Sequence, residues 1–486
     1  MKAVIHISRF LALILLSFII FLPSFKAYFT HDDFFHLLIA KPAGLNNFLS
    51  FFDITQSYQG YPHFRPLTTQ VFYSLAWIFD LNPLPMHILN FVIYIVVSIL
   101  IYDLFKVIGF NEKAAFIGLF LYITSATHFG RIYFLSTQEF GYSLFVLFSL
   151  ILFIKYIKTN HKFYNILCIF FYILALLSKE VAVVTPLLIF LTVTYVKFNK
   201  NNLHPKSMLL ILWETFKKLF PYIIVTGIYL FFRIFYYGFA EGDSYIWDFS
   251  PRFLNTLFWY GVWSLNMPEM LVDFVGAGFS INPNLFRYWS KEITPIFILF
   301  GLQVVFIIMI AIKKLINKSI DKNNLIFGVL WFSVSLLPVL FLPLHKFSFY
   351  LTLATVGVAA VISSLMINVS KGCITVFCIL WFTTSYMTIK LTEKTHWITR
   401  GAETANRVNN YFQDNIDKLK DFKRIVFIDS NKDIELPWKP SEILKTSLSN
   451  QNYFDVYYPG IFDVCYGNEC IIGSAYTVEG RQFIGY

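Results

Sequence analysis

Apolar stretches long enough to cross a bilayer recur along this chain, and they leave little freedom in what it can fold into. A membrane-spanning helix takes roughly 17–25 mostly apolar residues. Runs of that kind lie near 7–25, 86–107, 114–127, 138–156, 163–178, 181–197, 218–238, 293–312, 323–343, 347–367 and 372–390, those at 114–127 and 163–178 being the shortest. Inside lipid every backbone N–H and C=O must find its partner within the segment, so these runs are expected to be helices. Composition agrees. The 486 residues are 57% hydrophobic and 14% charged, whereas soluble domains run at about 45–50% and 25%. A soluble fold is excluded, and the net charge of +10 is read as loop charge that sets orientation, not as a nucleic-acid signal.

Lysines punctuate alternate loops. With the N-terminus inside, Lys106, Lys113, Lys155, Lys158, Lys162, Lys313, Lys314, Lys318, Lys322 and Lys371 all fall on the cytoplasmic side, as the positive-inside rule requires. The expectation is a multi-pass protein of the plasma (inner) membrane, with about 11 transmembrane helices in residues 1–390 and long outer loops at 26–85 and 239–292. Residues 391–486 then form a small extracytoplasmic α/β domain. Within it 402–420 reads as a helix and RIVFI at 424–428 as a strand. The first run reads as an uncleaved first helix, because no small-residue cleavage site follows it. Cys168, Cys373 and Cys378 sit in apolar runs as small hydrophobes. Cys465 and Cys470, in the polar tail, are spaced for a small-loop disulfide.

Ionisable groups gather in the outer segments. Asp32 and Asp33 stand side by side in HDDFFH at 31–36, just past the first span. One reading is a cap, with Thr30 or Asp32 opening a helix at Phe34. The other is a general base beside a residue that holds substrate or a metal. His31 and His36 flank the pair, so Asp33 and His36 are the candidates for a divalent metal ion. HFRPL at 63–67 places Arg65 before a proline, where a guanidinium suits an oxyanion. LLSKE at 176–180 puts Lys179 and Glu180 at a turn between apolar runs. THFGRIYFLSTQEF at 127–140 brings His128, Arg131 and Glu139 to another turn, and PLHKFSFYL at 343–351 adds His345 and Lys346. Ordinary roles exist for each: a snorkelling arginine, hairpin charge, a lone histidine. Together, acids and cations on one membrane face suit a reaction in which a phosphate leaves and a hydroxyl attacks. The cations would stabilise the leaving charge and a carboxylate would take the proton.

HDDFF after the first span, FRPLT at 64–68, PMHILN at 85–90 and LLSKE at 176–180 resemble, in this order, the GT-C superfamily of polytopic glycosyltransferases. The pattern is similar to the transmembrane O-mannosyltransferase (TMTC-like) branch and its bacterial relatives, and it covers roughly the first 200 residues. The resemblance implies a catalytic base in the first outer loop, here Asp32, with Asp33 as its partner. It implies a polyprenyl-phosphate-linked sugar donor, inversion at the anomeric carbon, and a divalent metal in some members but not others. It also implies that Arg65 and Lys179 lie near the active site. Their work on the donor phosphate, with Arg131, is inferred from charge. Unlike the animal proteins of that branch, the chain has no 34-residue helical repeat, so the acceptor could be a glycan, a lipid or a protein.

The expected function is therefore glycosyl transfer on the extracytoplasmic face, with membrane lipid and a lipid-linked donor as partners and no nucleic acid. A transporter or flippase of a lipid-linked substrate is the alternative, although ionisable groups at a boundary are not the midplane placement of transporters. A non-enzymatic scaffold is the third.

Overall fold

A computed structural model describes residues 2–55, 63–137, 139–200, 205–238, 242, 244–433, 438–470 and 475–485. Parts of the loop expected at 239–292 (239–241 and 243) lie outside the described residues. Among the described residues nine helices are long and apolar enough to cross a membrane: Ile7–Lys26, Pro83–Ile108, Glu139–Thr159, Glu180–Phe198, Leu209–Phe235, Asn284–Ile316, Lys322–Leu340, Ser348–Leu365 and Lys371–Thr395. Local sequence sets their ends. Asn82 accepts the Leu84 N–H and Pro83 opens the helix it caps, and Asp321 accepts the Asn324 N–H at the start of Lys322–Leu340, both standard N-cap chemistry.

Nine of the eleven expected runs are thus helices of spanning length, and the other two are shorter. The runs at 114–127 and 163–178 are helices, but Glu112–Ile123 has 12 residues and Lys162–Leu176 has 15. At 1.5 Å per residue they reach about 18 and 22 Å, short of the roughly 30 Å hydrocarbon layer.

Burial is uneven across the bundle. Ser348–Leu365 is its centre, with 78% of its apolar window buried. It packs on Lys322–Leu340 so closely that a Cβ on Gly357 would lie 2.4 Å from the Gly328 carbonyl oxygen, the close approach that small residues permit between spanning helices. Leu209–Phe235 and Asn284–Ile316 are only 11% buried, and their apolar side chains face outward, as lipid contact requires.

The tail holds three parallel strands, β1 (Arg424–Ile428), β2 (Asp463–Tyr466) and β3 (Tyr476–Glu479), in the order β2-β1-β3. Val426 pairs with Cys465 on one side and Thr477 on the other. Helices Pro440–Ser447 and Asn452–Tyr457 connect β1 to β2, as a parallel crossover demands. Cys465 and Cys470 are joined in a disulfide. The helix before β1 begins at Trp397, earlier than expected, and the last spanning helix runs to Thr395.

The tail does not stand apart. Phe412, Phe427 and Phe454 share one hydrophobic core with Phe34, Leu37, Tyr73 and Met86. The first outer loop supplies most of that second set, through helix Asp32–Ile39 and the helix Phe72–Ile78, which a π-helical turn at Leu67–Val71 leads into. Burial of this surface locks the aspartate-bearing helix onto the tail.

Candidate active site

His31 precedes the aspartates with φ 51° and ψ −127°, a backbone conformation that costs a side-chain-bearing residue about 1–3 kcal/mol and persists only when its surroundings impose it. They do. His31 N donates to the Ser447 carbonyl at 2.9 Å, Thr30 Oγ1 donates to the same oxygen at 3.3 Å, and Thr30 Oγ1 lies 2.8 Å from His31 Nδ1. The tail thus bends the chain at the point where Asp32 begins its helix.

The two carboxylates have different surroundings. Asp33 is 2% exposed. Its Oδ2 accepts the Thr30 N–H at 3.0 Å, and its Oδ1 accepts from Ser136 Oγ at 2.6 Å and from the Tyr73 hydroxyl. The cap expected of Thr30 or Asp32 is not formed, since no side chain caps this helix start; Asp33 instead reaches back to the Thr30 N–H ahead of it. Burial pushes its carboxyl up to about 6, the hydrogen bonds from Ser136, Tyr73 and Thr30 pulling the other way. With both oxygens engaged, Asp33 positions the loop; it is not placed to take a proton from substrate. Asp32 is exposed to solvent, yet burial among surrounding groups raises its carboxyl above the ordinary range, with Arg65's charge opposing. Asp32 is thus reached by water at a place crowded by protein and within the field of Arg65.

Arg65 stands within charge reach of it. Thr68 Oγ1 donates to the Ser178 carbonyl at 2.5 Å and Leu67 N to the Leu177 carbonyl at 3.2 Å, so the arginine loop is tied to the Lys179 turn. Arg65 Nε and Nη2 grip Glu180 Oε2 and Oε1 at 2.7 and 2.5 Å, a bidentate geometry. Lys179 does not pair with its neighbour Glu180: its Nζ reaches Glu139 Oε1 at 2.5 Å and the Thr137 carbonyl at 2.7 Å, and it is buried. Burial lowers its pKa, with Glu139 opposing. Its ammonium is already bonded.

Three groups at the site escaped sequence reasoning. Arg233, at the C-terminal end of Leu209–Phe235, donates to the Gly238 carbonyl. His63, whose Nδ1 is 3.3 Å from Arg65 Nη2, feels the charges of Arg65, Glu180, Arg233 and Lys179. Tyr245 feels Arg65, Glu180, Asp32 and Arg233 together, so it marks where the acid and the cations meet. Tyr245 stacks on His345 at 4.0 Å. His345 sits between Ser244 Oγ at 3.1 Å and the Tyr350 hydroxyl at 2.9 Å; burial, then Lys179 and Arg65, push it down to about 4, so it is neutral at pH 7. Arg65, Lys179 and Arg233 set against Glu139 and Glu180 leave one surplus positive charge among these groups, and of the cations Arg65 acts on Asp32.

Other expected residues lie elsewhere. Arg131, expected on the donor phosphate, is 0% exposed and donates to Thr352 Oγ1 at 2.5 Å and the Thr127 carbonyl at 2.6 Å. His128 is buried with Nε2 2.7 Å from the Tyr122 carbonyl. Glu139 binds Lys179 and Thr352, and Lys346 donates to Asn255. The pair offered to a metal does not fit one. Ser136 Oγ stands between Asp33 Oδ1 and His36 Nδ1, which lies 3.2 Å from it, and the described residues contain no group of three His, Cys, Asp or Glu that could hold an ion.

Gly401, on helix Trp397–Leu419, closes the site from the tail. A Cβ there would lie 2.3 Å from His31 Cε1 and 2.8 Å from Thr30 Oγ1. Gly401→Ala is expected to cost about 1–3 kcal/mol by overpacking and to move His31, lowering activity at Asp32. Thermal unfolding with an activity assay checks both, and a variant that matches wild type in each would show the contact is slack. Comparison with known protein families, curated proteins and solved structures finds no match to this chain.

Proposed function

We propose that the chain is a membrane glycosyltransferase that moves a monosaccharide from a polyprenyl-phosphate donor to an acceptor hydroxyl on the extracytoplasmic face. The observation that carries this reading is the division of labour in the aspartate pair: Asp33 is consumed by three donors, whereas Asp32 is exposed and lies within the field of Arg65; the space between Asp32 and Arg65 is the hollow in which we place the reaction. Asp32 takes the proton from the acceptor hydroxyl. The acceptor oxygen forms the new bond to the anomeric carbon as the bond from that carbon to the phosphate oxygen breaks. The electron pair leaves with the phosphate, and a single displacement inverts the centre. The leaving group gains negative charge, which Arg65 and Arg233 stabilise in a site already biased positive. Leu209–Phe235 supports a lipid-borne donor: its C-terminal end carries Arg233, and Ile228, Phe231 and Phe235 are exposed along it, so an apolar tail can lie in the membrane while its phosphate meets the cations.

Reconstituted protein supplied with radiolabelled polyprenyl-phosphate monosaccharides tests this. Release of lipid phosphate coupled to a new glycosidic bond is expected. Movement of the intact lipid across the bilayer with no new bond would replace the reading with the transporter alternative.

The acid side of the pH profile gives a further check. A base acts in its deprotonated form, and the Asp32 carboxyl is raised above the ordinary value of about 3.9. Activity is therefore expected to fall, as pH drops, through a limb above that value, and the limb should persist in Asp33→Asn. Acid unfolding from Asp33 cannot mimic it. A carboxyl with a raised folded-state pKa loses stability as pH rises from about 3.9 to about 6 and regains it as pH falls. A profile flat down to pH 4 would contradict Asp32 as base.

A further inference from the structure

A half-open cavity on the tail lies next to His31, the residue before the proposed base. It holds about 650 Å³, within the roughly 300–1,000 Å³ of small-molecule sites. Helix Trp397–Leu419 supplies Trp397, Arg400 and Glu403 to its wall, and the segment entering helix Pro440–Ser447 supplies Trp438, followed by Glu442 and Lys445. The His31 ring stands edge-on to Trp397 at 4.7 Å, so the cavity and the Asp32 loop share a wall. The lining mixes these two indoles and other apolar surface with charged side chains, and Trp438 is 69% exposed.

The lining selects a class of occupant. Two cations and two carboxylates cancel, and His31, pushed down to about 4 by burial, adds no charge at neutral pH. An anion or a cation would find no net attraction, and a wholly apolar ligand would take water from the remaining hydrogen-bonding capacity of four charged groups, of which Arg400 also donates to the Gly485 carbonyl, Glu403 pairs with Arg407 and Glu442 accepts from Lys439 N. A neutral polyol satisfies all of them. Its hydroxyls accept from Arg400 and Lys445 and donate to Glu403 and Glu442, while the C–H face of a pyranose covers an indole, whose ring face is electron-rich.

We infer that this cavity is a binding subsite for an uncharged saccharide, the acceptor glycan of the transfer reaction, held by Trp397 and Trp438 with its reacting end toward His31 and Asp32. The inference rests on the proposed function for the identity of the reaction, but the binding claim can be tested without transfer. Full-length protein in detergent is screened against an array of neutral oligosaccharides, and hits are titrated by calorimetry and saturation-transfer NMR. At least one saccharide is expected to bind, with affinity reduced tenfold or more in Trp438→Ala and in Arg400→Gln. Both side chains are exposed, so neither change removes core packing. Asp32→Asn should bind it as wild type does. Inorganic phosphate and lysophosphatidylcholine serve as the competing probes. No Trp438-dependent saccharide in the array, or Trp438-dependent binding of either competing probe instead, overturns the inference. Wild-type transfer kinetics in Trp438→Ala, with unchanged acceptor KM, overturns it too while leaving the transferase reading intact. Saccharide binding without transfer by the wild type would instead remove the transferase reading and keep the subsite.

Discussion

Asp32→Asn is expected to lower glycosyl transfer by about 10²–10⁴-fold, the usual contribution of a positioned general base, while the protein inserts and folds as before. The expectation follows from the asymmetry of the pair. Asp32 is exposed, and no donor among the described residues is bonded to its carboxylate, so the amide breaks no contact. Asp33→Ala should behave differently. It strips the acceptor from Thr30 N, Ser136 Oγ and Tyr73, and a buried group left unsatisfied costs about 1–3 kcal/mol. Thermal unfolding and transfer rate, measured on both variants, should separate cleanly: activity alone for Asp32, stability together with activity for Asp33. Retained transfer in Asp32→Asn would remove it as the base.

The second large effect concerns Lys179 and Glu139, an ion pair with side chains 4% and 0% exposed. Removing one partner of such a pair leaves an uncompensated buried charge and typically costs about 3–5 kcal/mol. Glu139→Ala or Lys179→Met should therefore unfold at markedly lower denaturant or temperature. Glu139 also accepts from Thr352 Oγ1, which in turn accepts from Arg131, so the damage should spread along that buried chain of groups. The double variant Glu139→Leu with Lys179→Met removes both charges and should recover most of the loss, because paired apolar replacements of buried ion pairs are often neutral. Unfolding curves for the two single variants and the double variant decide it. If Lys179→Met is as stable as wild type but loses transfer, the lysine is a substrate ligand and its pairing with Glu139 is incidental.

Much of the architecture was legible because the bilayer imposes a simple code. Long apolar runs became helices, and the strand at 424–428 and the Cys465–Cys470 disulfide appeared where composition pointed. The two shortest runs form helices below the usual spanning length, since hydropathy reports what a segment is made of and not how long a helix it makes, and the 12-residue Glu112–Ile123 is mostly buried in protein. The site was legible as a gathering of ionisable groups on shared loops. Its wiring was not. Glu180 is adjacent to Lys179 in sequence, yet successive side chains diverge, so Glu180 turned to Arg65 and Lys179 turned inward to Glu139. Arg131 carries the same charge as Arg65 and occupies a similar turn, and only packing decides that one meets the hollow and the other Thr352. Arg233 went unnoticed because a single arginine at the end of an apolar helix reads as an interface anchor. Gly401 gave no signal at all, since its meaning lies in the nearness of His31, 370 residues earlier in the chain.

The most direct test is a cryo-EM structure of the protein bound to a short-chain polyprenyl phosphate. The account predicts the phosphate density against Arg65 and Arg233, with the Asp32 carboxylate facing it across open space large enough for one sugar ring and the apolar chain running along Leu209–Phe235. Phosphate density at another surface, with Arg65 still closed on Glu180 and the hollow empty, would contradict it.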